Sequence, residues 1–170
     1  MSKLDNIQYV LSPDFLATDR TKFIEKQSSF TMEVPIKNDG FSYLSYKYDK
    51  DLKGYKGGLF PFFAKNQGVQ KLSDYILFAE KSNQFYVLMV ELKKGRQSTV
   101  QQLEAAKCFV NYIINSVKRV KDVALEPQLR CISIPEFKRI KKGTREKPIQ
   151  YDNNYTEFKG KIFRLRAFLT

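Results

Sequence analysis

The sequence predicts an α/β (α+β) fold, one domain over residues 1–170 with a central sheet covered by helices. Three observations carry this. Phe85 to Leu92 is a nearly continuous apolar run, reading Phe-Tyr-Val-Leu-Met-Val before any charge. Such a run marks a strand buried on both faces, the middle of a sheet. The segment from Ser98 to about Val120 repeats Thr99, Leu103, Ala106, Val110, Ile113, Ile114 and Val117 at helical spacing. The length of 170 residues and a 42% hydrophobic content suit one domain with a real core.

The elements follow in order. Ser12-Pro13-Asp14 opens a turn, and Phe15 to Gln27 reads as a short helix burying Phe15, Leu16, Phe23 and Ile24. Phe30 to Ile36 reads as a strand, with Phe30, Met32, Val34 and Ile36 on one face. Asn38-Asp39-Gly40 is a turn, and Phe41 to Tyr48 reads as the second arm of a hairpin. Lys53 to Gly58 is a basic glycine loop, without the ending a P-loop needs. It is read as a connector first and as a loop along a phosphate backbone second. Leu59 to Ala64 is an apolar cluster around Pro61. Tyr75 to Ala79 is strand-like, and Ser82-Asn83 turns the chain into the long apolar strand. Ser98 with Gln101 fits a capping box for the helix that follows. Leu129 to Ile134 is a further strand, and Lys161 to Leu169 alternates as a closing edge strand.

Composition sets what chemistry is open. There is no histidine, which excludes Ser-His-Asp and Cys-His catalysis and the common zinc sites. Two cysteines, Cys108 and Cys131, lie in apolar runs and are expected as buried free thiols. Thirty Lys+Arg against eighteen Asp+Glu give a formal charge of +12. That surplus favours polyanionic partners, and the aromatic content tips the expectation toward nucleic acid. Met1 to Val10 lacks an apolar stretch of the signal-peptide kind. No apolar run approaches the roughly 18 residues of a membrane span. A soluble cytoplasmic protein without membrane contact is the expectation.

The chemistry-bearing feature is at the end of the buried strand. Glu91 and Lys93 follow Val87-Leu88-Met89-Val90, and residues two apart in a strand share a face. Unpaired charge is costly to bury, so partners must be near: each other, a metal, or a third charged group. If 75–80 and 84–92 pair as a hairpin, Asp74 comes into register with roughly Glu91 and Lys93. Two carboxylates and a lysine then meet at one point. Such oxygen ligands suit Mg²⁺, and a neighbouring lysine can orient or deprotonate water or stabilise charge. The plainer alternative is an ordinary ion pair between Glu91 and Lys93 on a solvated rim.

Asp74, the hairpin, and Glu91-Leu92-Lys93 resemble the signature of the PD-(D/E)xK nuclease superfamily, with Ser73 in place of the proline. The resemblance runs from Leu72 to about Val120 and implies a restriction-endonuclease-like fold, a small mixed sheet flanked by helices. The core is then about 72–120, with basic C-terminal strands and a loop over 121–170. The resemblance implies that Asp74 and Glu91 bind Mg²⁺ or Mn²⁺ and that Lys93 positions the attacking water. It implies an auxiliary role for Gln102, or second to it Gln101. Glu25 is the best match to the carboxylate that many members carry on an N-terminal helix. The implied activity is metal-dependent phosphodiester hydrolysis by a DNA endonuclease, DNA being favoured over RNA. Because such nucleases often act as dimers, a homodimer is also open. Lys94, Arg96, Lys138, Arg139, Lys141, Lys142 and Arg145 would hold the nucleic-acid backbone; a solvated loop is the default for Lys138 to Lys147. The alternative function is an inactive nuclease-like module that binds nucleic acid or protein.

Overall fold

In a computed structural model, the residues described are 2–48, 63–64, 66–95, 98–136 and 148–169. The first element is a helix, α1, Lys3–Val10. Ser2 caps it: its Oγ accepts from the Asp5 N–H at 3.0 Å, and its own N–H donates to the Asp5 carboxylate at 2.7 Å. This reciprocal pair satisfies two of the donors a helix start leaves open.

The helix expected over Phe15 to Gln27 is not formed. The chain makes a single 3-10 turn at Pro13–Phe15 and then a strand, β1, Lys22–Gln27. The reason lies in what its backbone can bond. β1 pairs antiparallel with β2, Phe30–Lys37, from Lys22↔Pro35 to Gln27↔Phe30. Its other edge meets Tyr75, whose hydroxyl accepts from the Ile24 N–H at 2.9 Å and donates to the Ile24 carbonyl at 3.0 Å. A helix would have consumed those groups internally. Tyr75→Phe should therefore leave a partly buried N–H without its partner. The expected loss is about 1–3 kcal/mol of folding stability, read by urea denaturation.

β2 follows its expected alternation, burying Met32, Val34 and Ile36 and exposing Thr31, Glu33, Pro35 and Lys37. The turn after it is as read, with Asp39 and Gly40 at φ of 48° and 86°. Its two arms, however, do not pair. The next strand, β3, Ser42–Lys47, joins a different sheet. There it meets β4, Tyr75–Lys81, which needs a partner on the edge away from its own hairpin mate. Lys53 to Gly58 lies outside the described residues, as does Leu59 to Ala64 apart from Phe63 and Ala64.

β4 turns through Ser82-Asn83 into β5, Gln84–Lys93. The ladder runs from Lys81↔Gln84 to Tyr75↔Val90, the hairpin read from the sequence. Helix α2, Val100–Lys121, crosses from β5 to β6, Gln128–Pro135, which lies parallel to β5. The capping box expected at Ser98 is not made. The cap residue is Thr99 without a side-chain bond, and Ser98 Oγ reaches only the Val100 N–H at 3.4 Å. The helix begins one residue later than the motif requires. A short strand, β7, Tyr155–Glu157, adds in parallel to β6.

Lys161 to Leu169 is not one strand. Only β8, Phe163–Arg164, pairs, parallel to β2, and α3, Leu165–Phe168, follows at once. Alternation stops because Leu165, Phe168 and Leu169 are buried at helical rather than strand spacing.

The protein is thus a mixed α+β fold with two sheets. One has five strands in the order β3-β4-β5-β6-β7, the other three in the order β1-β2-β8. β5 is buried on both faces from Phe85 to Val90, as expected for a central strand. Its cover is not helical on both sides. Val87 and Met89 pack with α1 and α2, through Leu4, Ile7, Leu103, Ala106, Val110 and others. Leu88, Val90 and Leu92 pack instead with β1, β2 and the C-terminal aromatics. Cys131 is buried on the helical side, and burial pushes its thiol up to about 11. Cys108, expected to be buried, is exposed on α2. No helix among the described residues is long and apolar enough to cross a membrane.

Candidate functional site

The site forms where β5 ends. Tyr75 pairs with Val90, so Asp74, one step earlier, stands opposite Glu91. The two residues exchange bonds across the strands. The Asp74 N–H donates to Glu91 Oε2 at 3.1 Å, and the Leu92 N–H donates to Asp74 Oδ2 at 2.7 Å. Each carboxylate thus extends the ladder of the other's strand, and both are half-buried. Directly opposed residues of an antiparallel pair share a face. That face is the one α2 covers, because Met89, two residues before Glu91, packs there.

Two like charges side by side repel, and the backbone N–H donors help to hold them in place. A carboxylate oxygen accepts more than one bond, so a donor on one lone pair does not prevent ligation through another. This donor set suits a hard cation that takes one or two carboxylates and fills its shell with water and phosphate oxygen. Among the described residues no group of three or more His, Cys, Asp and Glu could hold a metal ion.

Lys93 shares the face of Glu91, as expected, but its ion-pair partner is neither Glu91 nor Asp74. Its Nζ lies 3.0 Å from Glu157 Oε2 on β7. Glu157 also meets Lys159, whose Nζ is 2.6 Å from Oε1. The hydrogen bond from Lys159, then that from Lys93, holds the Glu157 carboxyl below the ordinary carboxylate range. A carboxyl depressed on folding stabilises the fold above its unfolded value and loses that contribution as pH falls through the folded one. Wild type should therefore exceed Glu157→Gln in stability at neutral pH and converge with it in acid. Denaturation of the two proteins from pH 7 down to pH 3 tests this, and a pH-independent difference would refute it.

Sequence reasoning missed Glu157. It sits in a three-residue strand entered from Asn153 and Asn154, both with positive φ. Tyr155-Thr156 has the aromatic and β-branched character of a strand, and that was the available signal.

Glu25 is corrected. It is on β1, not on a helix, and β1 packs through Phe23 against the ring of Tyr75, on the face away from α2. Gln27 Nε2 donates to its Oε1 at 3.2 Å, and its Oε2 is buried without a hydrogen-bond partner. Gln102 is half-buried in the first turn of α2, its Oε1 likewise without a partner. Gln101 is exposed and accepts from Lys71 Nζ at 2.7 Å. Lys94 is exposed and projects to the other face, 3.3 Å from Ser29 Oγ and over the Phe30 ring. Arg96, Lys138, Arg139, Lys141, Lys142 and Arg145 lie outside the described residues.

The chain matches no known family, no curated protein and no solved structure.

Proposed function

We propose that the chain is a divalent-metal-dependent nuclease of the PD-(D/E)xK type, acting on phosphodiester bonds, with DNA the favoured substrate. The observation that carries this reading is the reciprocal seating of Asp74 and Glu91 at the end of a buried strand, with Lys93 on the same face. The order of the parts also supports it: Asp ahead of β4, Glu-x-Lys on β5, then α2, as the resemblance implies. The finer fold assignment, restriction-endonuclease-like, belongs to the same proposal.

Asp74 and Glu91 would hold Mg²⁺ or Mn²⁺, which when bound polarises phosphate oxygen and acidifies a coordinated water. Lys93, its ammonium held on the Glu157 side of the row, would present it to the substrate phosphate and offset charge there. Gln102 Oε1 is a buried acceptor without a hydrogen-bond partner and would supply the auxiliary contact that the resemblance implies. Lys94 and the other named basic residues would hold the backbone of the nucleic acid, a role that also fits the +12 charge.

The test is incubation of pure protein with labelled single- and double-stranded DNA and RNA, with Mg²⁺, Mn²⁺ or EDTA. Cleavage that needs the metal and Glu91 supports the reading. Tight binding without cleavage under any metal would replace it with the inactive nucleic-acid-binding module. For duplex DNA, affinity should fall with salt at a log–log slope of about −0.9 per phosphate neutralised, and a flat response would exclude backbone binding.

A further inference from the structure

We infer that Glu157 is a positioning residue for Lys93: it draws the ammonium across the sheet and keeps it from pairing with Asp74 and Glu91. This rests on the nuclease reading of the site and deepens it. A metal competes with any cation already seated on its carboxylates. A lysine two residues from Glu91, on the same face and carried on a flexible four-carbon stem, is the obvious competitor.

The geometry shows how Lys93 is kept out of that competition. Glu91 is in register with Ser133 of β6, and Ser133 with Glu157 of β7. Asp74, Glu91, Ser133 and Glu157 therefore form one row across four strands. Glu157 lies two strand spacings from Glu91, about 9.6 Å along the row. To come within 3.0 Å of Glu157, the Lys93 stem must lean over β6, away from the Asp74–Glu91 end. The residue beneath that path, Ser133, is small and leaves room for the stem. Its hydroxyl is buried and makes no hydrogen bond.

The Lys93 side chain is only 15% exposed, so the contact is shielded on its lysine side. Glu157 in turn is anchored. Tyr155 donates its hydroxyl to Glu104 of α2, and the Phe158 N–H donates to the Ser133 carbonyl at 2.8 Å. Lys159, on the other oxygen of Glu157, is two-thirds exposed.

The test uses Mn²⁺ alone as probe, with binding followed by electron paramagnetic resonance and titration calorimetry on the whole chain. In Glu157→Gln the released ammonium falls back on Asp74 and Glu91, and Mn²⁺ affinity drops about tenfold. The double variant Glu157→Gln with Lys93→Met removes the competitor and restores affinity to within about twofold of the Lys93→Met protein. Glu157→Asp should recover part of the loss, and Lys159→Met should change nothing. If wild type binds Mn²⁺ and Glu157→Gln binds it equally well, the positioning role is wrong while the metal site stands. A loss that persists in the double variant also overturns it, since the effect then bypasses Lys93. If wild type binds no Mn²⁺, the metal-site reading itself falls. Melting curves and circular dichroism of each variant identify any that fail to fold, and Glu157→Asp then carries the comparison.

Discussion

Asp74→Asn and Glu91→Gln should each reduce metal-dependent cleavage by about a hundredfold to ten-thousandfold, the range that several kcal/mol of lost transition-state stabilisation spans. Folding should be nearly untouched. The amide oxygens of Asn and Gln can still accept from the Leu92 and Asp74 N–H groups that now bond the carboxylates. The corresponding alanine variants lose that acceptor as well. They should show the same activity loss plus about 1 kcal/mol of destabilisation each. This separation of charge from hydrogen bonding is what makes the amide variants decisive. Lys93→Met should lose activity with an intact fold, since its methylene stem is retained and only the ammonium goes. Side-by-side cleavage assays and urea curves check all of this. Amide variants that cleave as wild type would show that the paired carboxylates serve the ladder and nothing else.

Phe163→Ala should be the most destabilising single change among these, at about 3–5 kcal/mol. Against the roughly 5–15 kcal/mol of a typical domain, that is a large fraction. Phe163 is fully buried on the two-residue β8. Its ring lies 4.0 Å from that of Phe168, nearly parallel, and takes Phe23 and Phe158 edge-on at 5.0 and 5.4 Å. One ring thus joins β1, the segment after β7, and α3. Phe158 follows Glu157 directly, on the opposite side of the chain. Loss of the Phe163 ring should therefore loosen Glu157 from below as well as lower global stability. Equilibrium unfolding gives the first effect. Faster hydrogen exchange at the Phe158 N–H gives the second. A change under about 1 kcal/mol would mean that the cluster collapses around the gap.

Half of the candidate site was legible in the sequence, because it is local. A tight turn at Ser82-Asn83 fixes the register of β4 on β5, and register alone puts Asp74 opposite Glu91. The apolar run before Glu91 told that the strand was central and that its charges stood at its end. What failed was non-local or ambiguous. Glu25 lies in a stretch where Phe23-Ile24 fits a helix face or a strand equally, and the contact that decides comes from Tyr75, far along the chain. Asn38-Asp39-Gly40 does turn the chain, but a turn does not say which sheet the next strand will join. Glu157 reaches Lys93 only through two successive parallel pairings, and parallel neighbours leave no short-range pattern to read. The second sheet stayed hidden for the same reason: β8 is two residues long and pairs with a strand at the other end of the sequence.

The same division has a consequence for the order in which the molecule assembles. Asp74 and Leu92 are 18 positions apart, so their bond closes a short loop that the hairpin closes anyway. Lys93 and Glu157 are 64 positions apart in the numbering. On chain entropy alone, closing the longer loop costs about 1.1 kcal/mol more, and it also awaits α2 and β6. The carboxylate pair should thus be in place early and bring two like charges together before the distant acid arrives to take the lysine. During that interval Lys93, two residues from Glu91 and on the same face, should serve as a counter-ion to the pair that later steps remove. Pulsed hydrogen exchange would register this as protection at the Leu92 N–H preceding protection at the Phe158 N–H.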